Sequence, residues 1–273
     1  MKPTFALIGL PTDRHSSYLR GPAKGPAFVR TALACDGTTI ASEDGRELGL
    51  DLIINDCGDA PLHEADGDDA IIERSILSPL REGHCPISIG GDHSVTYPIL
   101  RAIHAERGPV DILHFDAHPD LYDDYQGNKR SHASPFARIM EEGLARRLVQ
   151  VGIRTLERRQ RAQVERFGVE IVPMRTFSAY SVPILQGPLY VSIDLDGLDP
   201  SVAPGVSHHE PGGLTMRDLL SVLHAQRAPL VGADIVELNP DRDINGMTAT
   251  VAAKLVRELC AYACNSVPGQ KIA

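Results

Sequence analysis

The amino-acid sequence predicts an α/β protein: a single-domain three-layer α/β/α sandwich around a central, mostly parallel eight-stranded sheet. Short apolar runs alternate with segments of helical period along nearly the whole chain. The runs are continuously apolar, which is the pattern of strands covered on both faces. That βαβ order implies right-handed crossovers that lay helices on both sides of the sheet. No repeat, low-complexity tract or linker divides residues 1–273, so the chain is read as one domain with a sizeable core.

Strands are predicted over residues 4–9, 52–57, 86–89, 110–115, 148–153, 169–172, 189–194 and 230–236. A helix over 68–81 follows a turn-rich Asp and Gly cluster. Ser94 is the expected N-cap of a helix that ends at Arg107, before Gly108. Ser134 and Pro135 supply an N-cap and a first-turn proline for a helix to about residue 147. Thr215 with Asp218 resembles a capping box opening a helix to Gln226, and residues 247–263 form a last helix rich in alanine and leucine. The arginine-dense stretch 154–166 reads as a solvated helix face.

A hydrophobic fraction of 42% and a charged fraction of 23% are ordinary for a soluble globular chain. The formal charge of -9, from 27 basic and 36 acidic side chains, suits neither phosphate backbones nor anionic lipid, so no nucleic acid or membrane partner is expected. The apolar run 5–10 meets Pro11, Thr12, Asp13 and Arg14 at once, too early for a signal-peptide core. Cys35, Cys57, Cys85, Cys260 and Cys264 show no two-residue spacing of a zinc or redox motif. A reducing, cytoplasmic setting is the expectation.

The chemistry concentrates at the carboxyl ends of predicted strands, where open parallel sheets place their sites. The strand 110–115 runs into Asp116, His118 and Asp120; the strand 189–194 runs into Asp194, Asp196 and Asp199; the strand 86–89 runs into Gly90, Gly91, Asp92 and His93. Each motif alone has a bland explanation as a turn or cap. Together they crowd aspartates and histidines at one sheet edge, which is expensive without counter-ions. Divalent cations remove the conflict, and oxygen and imidazole donors without cysteine suit manganese better than zinc. The number of donors is enough for two metals that share bridging carboxylates.

Three segments resemble the signatures of the ureohydrolase (arginase and agmatinase) family: Gly-Gly-Asp-His-Ser at 90–94, Asp-Ala-His-Pro-Asp at 116–120 and Ser-Ile-Asp-Leu-Asp-Gly-Leu-Asp-Pro at 192–200. The likeness runs from about Ala6 to Leu259, and the segments 127–134 and 204–208 look most like plant-type arginases. The resemblance implies an arginase-like fold and two Mn2+ ions per subunit. His93, Asp116, Asp120 and Asp194 would hold one, and Asp116, His118, Asp194 and Asp196 the other, with Asp116 and Asp194 bridging. It further implies a metal-bridging hydroxide as nucleophile, Glu237 as the carboxylate that docks the guanidinium, and His132 as a proton shuttle to the departing amine. A homo-oligomer, trimer or hexamer, is implied in the same way.

The expected reaction is hydrolysis of a small guanidino substrate to urea, with arginine favoured over agmatine and other guanidino acids behind them. Asn128 and Ser134 are candidates for the α-carboxylate, although Ser134 also reads as a helix cap. The group that meets the α-amino end is unassigned, and His15, His208 and His209 are rim candidates without a role. A two-metal phosphohydrolase should carry Arg or Lys clamps in the motif loops, and these are missing. A non-catalytic metal-binding protein has no use for Glu237 and His132.

Overall fold

The computed structural model describes residues 2–266. Its strands are β1 (Thr4–Leu10), β2 (Ile53–Asp59), β3 (Cys85–Gly90), β4 (Val110–Phe115), β5 (Ala145–Ile153), β6 (Glu170–Pro173), β7 (Leu189–Asp194) and β8 (Leu230–Val236). They form one eight-stranded sheet in the order β2-β1-β3-β8-β7-β4-β5-β6. Every ladder in it is parallel, where a mostly parallel sheet was expected. Each strand is followed by a crossover instead of a hairpin, so no neighbour runs the other way.

The helices are α1 (Gly25–Leu33), α2 (Asp68–Arg81), α3 (Thr96–Arg107), α4 (Pro135–Glu141), α5 (Arg158–Phe167), α6 (Met216–Ala225) and α7 (Met247–Ser266). The period-2 alternation of the strands feeds two separate cores. Phe5 and Leu7 of β1 join Leu113 and Phe115 of β4 beneath Val29 of α1, Leu219 of α6 and Leu255 of α7. Ala6, Ile8 and Leu10 of β1 join Ile112 of β4 beneath Ile76 of α2, Ile103 of α3 and Ile139 of α4. Three layers result. Among the described residues no helix is long and apolar enough to cross a membrane.

Several boundaries differ from expectation. The helix begun by Pro135 stops at Glu141 because Gly143 turns into the left-handed region at φ 66, and β5 already starts at Ala145. Ser134 precedes it, but its hydroxyl caps nothing and is buried without a hydrogen-bond partner. At α3 the capping side chain is Asp92, which accepts from the Ser94 N–H at 3.1 Å and opens a 3-10 turn over His93–Val95. The box of Thr215 and Asp218 forms as read. β2, read as a covered strand, is an exposed edge, and Arg30 of α1 pairs with its Asp56 and Asp59.

The sheet order decides where the chemistry sits. β3, β8, β7 and β4 are the four middle strands, and all four end at the same edge. There the loop after β1 is pressed against the loop after β3: Asp92 N–H donates to the Thr12 carbonyl at 2.9 Å, and Gly91 N–H to that of Leu10 at 2.9 Å. A Cβ at Gly91 would run into the Thr12 carbonyl. Gly91→Ala is therefore expected to destabilise the fold by about 1–3 kcal/mol, read as a lowered urea midpoint. An unchanged midpoint would show that the two loops can part freely.

Candidate metal centre

His93, Asp116, His118, Asp120, Asp194 and Asp196 come from three strand ends and converge on one edge. Nδ1 of His93 lies 3.3 Å from Asp116 Oδ2, 3.1 Å from Asp120 Oδ2 and 3.2 Å from Asp194 Oδ2. Nδ1 of His118 lies 3.4 Å from Asp116 Oδ1 and 3.1 Å from Asp196 Oδ2. The ligand atoms of His93, Asp116, Asp120 and Asp194 fall within 4.8 Å of one another, as do those of Asp116, His118 and Asp196. Asp116 belongs to both groups. Asp194, expected to bridge, falls only in the first, because its Oδ1 is turned to the backbone N–H of Asp196 at 2.8 Å.

Hydrogen bonds behind the ligands set their tautomers. Ser192 Oγ donates to Asp234 Oδ1 at 2.7 Å, so at 3.0 Å it accepts from Nε2–H of His93. Asp234 is itself held by Thr96 and Tyr190. His93 therefore presents the bare lone pair of Nδ1 to three carboxylates, and that atom is buried without a hydrogen-bond partner. A lone pair aimed into a ring of carboxylate oxygens is what a divalent cation requires.

Charge crowding supports the same fit. Burial, then the neighbouring Asp116, pushes Asp120 up to about 6. Burial, then Asp196 and Asp116, raises Asp194 well above the ordinary carboxylate range. Asp116 goes the other way: burial opposes its charge, but His114 and His118 outweigh burial and hold it well below that range. A mixed set of hard oxygens and imidazoles, partly protonated for want of positive charge, fits cation binding.

His114, inside the predicted strand 110–115, fixes the shared carboxylate. Its Nε2 meets Asp116 Oδ2 at 2.8 Å, and Gln150 reaches its Nδ1 at 3.0 Å and the Pro119 carbonyl at 2.6 Å. The signal was available: His114 and Asp116 are two apart at a strand end.

Glu237 and His132 close the site. Glu237 Oε1 accepts from His132 Nδ1 at 2.7 Å and from the His93 backbone N–H at 2.9 Å, while Oε2 has no hydrogen-bond partner among the described residues. Nε2 of His132 lies 3.1 Å from the Ser17 N–H and 2.8 Å from Ser17 Oγ. The neutral ring can accept from the former and the charged ring donate to the latter, so Ser17 holds the imidazole in either state. Burial opposes charging of His132, but the Glu237 carboxylate outweighs it and pushes the group up to about 9.

These groups line a cavity of about 490 Å³ with Ser17, Tyr122, Tyr125, Arg154, Thr155, Glu157, Gln160 and His208. Arg154, read from sequence as part of a solvated helix, lies outside α5 and grips the carbonyls of Asp196 at 2.6 Å and Glu210 at 2.8 Å. Thr155, Glu157 and Gln160 were overlooked, though they too follow a strand end. Asn128 and Ser134 do not line the cavity. Asn128 Nδ2 lies 3.2 Å from His15 Nδ1, and Ser134 is fully buried. His209 turns away to the Pro204 carbonyl at 2.6 Å.

A family model described as the Arginase family matches residues 3–261. The chain is 50% identical to "Arginase 1, mitochondrial" of Arabidopsis thaliana, over 95% of this chain and 81% of that one. It is also 50% identical to "Arginase 2, chloroplastic/mitochondrial" of the same plant, over 95% and 80%. The solved structure of arginase from Medicago truncatula superposes with a TM-score of 0.89 at 47% identity, covering 96% of this chain and 87% of that one. These relatives are organellar and overturn the expectation of a cytoplasmic setting. Unpaired cysteines distinguish a reducing compartment from an oxidising one, not the cytosol from an organelle. With the ligand groups gathered at the carboxyl edge and a family model spanning nearly all of the chain, the protein belongs to the arginase family and is a hydrolase of the C–N bonds of linear amidines.

Proposed function

We propose that the protein is a binuclear manganese arginase, converting L-arginine and water to L-ornithine and urea. The observation that carries this reading is the pair of ligand groups sharing Asp116, with the Glu237 carboxylate and His132 facing the same cavity. His93, Asp116, Asp120 and Asp194 would hold one Mn2+ ion, and Asp116, His118 and Asp196 would hold the other. When bound, the two ions supply a nucleophile from water near neutral pH.

The chain's own residues do the rest. A guanidinium is planar, positive and a poor electrophile, so it needs an anion to dock it. Glu237 has Oε1 committed to His132 and His93 and leaves Oε2 open to accept an N–H of the substrate. His132, oriented by Glu237, donates a proton to the departing amine and is held in place by Ser17 after the proton has left. Glu157, exposed at the cavity, offers a carboxylate for the ammonium at the far end of the substrate. That ammonium is common to arginine and agmatine. The preference for arginine rests on the likeness to plant arginases, since neither Asn128 nor Ser134 lines the cavity.

The function is tested by urea release from manganese-loaded protein with arginine, agmatine and guanidinobutyrate side by side. Arginine is expected to be preferred; a preference for agmatine would leave the metal chemistry standing and overturn the substrate. Asp116→Ala is expected to empty both metal positions, seen as loss of all bound manganese after gel filtration, and retention of one ion per chain would contradict the shared ligand. His132→Asn should keep its manganese and lose about 10²–10⁴ in kcat. Turnover at the parental rate would remove His132 from proton transfer.

A further inference from the structure

His132 is buried, and both of its ring nitrogens are engaged. Nδ1 lies 2.7 Å from Glu237 Oε1, and Nε2 lies 2.8 Å from Ser17 Oγ and 3.1 Å from the Ser17 N–H. Among the described residues neither nitrogen has a further hydrogen-bond partner. A proton that leaves this ring for the cavity therefore leaves through Glu237 or through Ser17. The route through Glu237 would neutralise the carboxylate that docks a cationic substrate while its charge is needed. Ser17 is the route that remains.

Ser17 lines the cavity, half-buried, and its Oγ has no other hydrogen-bond partner among the described residues. When Nε2–H donates to Oγ, the hydroxyl's own proton is free to point into the cavity. The loop that carries Ser17 is pinned on both sides of it. Asp92 Oδ2 accepts from the His15 N–H at 2.9 Å and from Ser16 Oγ at 3.3 Å, and the His132 N–H donates to the His15 carbonyl at 3.1 Å. Beyond Ser17, Ser207 Oγ donates to the Leu19 carbonyl at 3.2 Å, and Asp13 Oδ2 accepts from the Gly21 N–H at 2.7 Å. A hydroxyl held by fixed backbone between a buried imidazole and a cavity is built to pass a proton.

We propose that the Ser17 hydroxyl is the proton relay between His132 and the departing amine. The Nε2–H bond of the imidazolium breaks as that proton bonds to Ser17 Oγ, and the Oγ–H bond breaks as its proton passes to the amine nitrogen. That nitrogen keeps the electron pair of the cleaved C–N bond; the hydroxyl is restored and the ring is left neutral. The Ser17 N–H then donates to the bare Nε2. A water in the cavity recharges the ring along the same path in reverse. The relay rests on the arginase reading above.

The test is steady-state kinetics with arginine of manganese-loaded parental enzyme, Ser17→Ala, Ser17→Val and Ser17→Thr, with manganese content measured for each and imidazole titrated into the assays. Ala removes the hydroxyl and keeps the backbone N–H; Val also fills the space a water could take; Thr restores the hydroxyl in the shape of Val. Ser17→Ala and Ser17→Val should lose about 10² in kcat, with KM and manganese content unchanged within about twofold. Ser17→Thr should recover most of that loss. Imidazole, a free proton carrier, should raise kcat of Ser17→Ala in proportion to its concentration and leave the parental rate alone. A parental kcat in Ser17→Val would overturn the proposal, as would a loss in Ser17→Ala that imidazole does not relieve, because the hydroxyl would then only orient the ring. Absence of urea release by the parental enzyme would overturn the arginine reading and this relay with it.

Discussion

The buried carboxylate of Asp116 is the constraint on which the rest of the centre depends. It is fully buried, and its two oxygens face His93 and His114 on one side and His118 on the other. The backbone N–H of His118 closes on Oδ1 at 2.6 Å. An isolated carboxylate in such a place would be protonated. The His114 and His118 imidazoles and a backbone donor keep this one charged, so the oxygens common to both ligand groups stay available to cations.

Holding so much charge indoors demands rigidity behind it. The Thr96, Tyr190, Ser192 and Asp234 hydroxyl–carboxylate cluster has no access to solvent and locks His93 from behind, and Gln150 does the same for His114. A partly satisfied network in this setting would cost more than an apolar core. The helices on either face of the sheet stabilise the molecule through two hydrocarbon cores, which frees its middle strand ends for polar work.

Two of the functional side chains sit on backbone that their residue types seldom adopt. Asp120 has φ 49 and Glu237 has φ 67. Left-handed backbone at a residue with a Cβ costs on the order of 1–3 kcal/mol and persists where the surroundings enforce it. At Glu237 the enforcement is visible: its N–H donates to the Gly91 carbonyl at 2.8 Å, and its side chain reaches back to the N–H of His93. The strained turn aims the carboxylate across the sheet edge instead of along the strand.

By itself the sequence determined the α/β class, the eight strands and the capping box at Thr215, and it pointed to six candidate ligands, because each is written in local periodicity or in side chains crowded at a strand end. Only the tertiary structure decided the rest. The strand order, which places the ends of β3, β8, β7 and β4 side by side, comes from crossovers that carry no local signal. His114 stands two residues before Asp116 in sequence, but its link to Gln150 spans 36 positions and is set by packing. Ser134 has the sequence of a helix cap and a substrate contact, and folding makes it neither a cap nor a cavity wall. Arg154 resembles a solvated arginine until the loop over 196–210 folds its carbonyls onto it. Local spacing reports which face or end of an element a residue occupies; partners far apart in the chain are chosen by packing, and packing is where these roles were set.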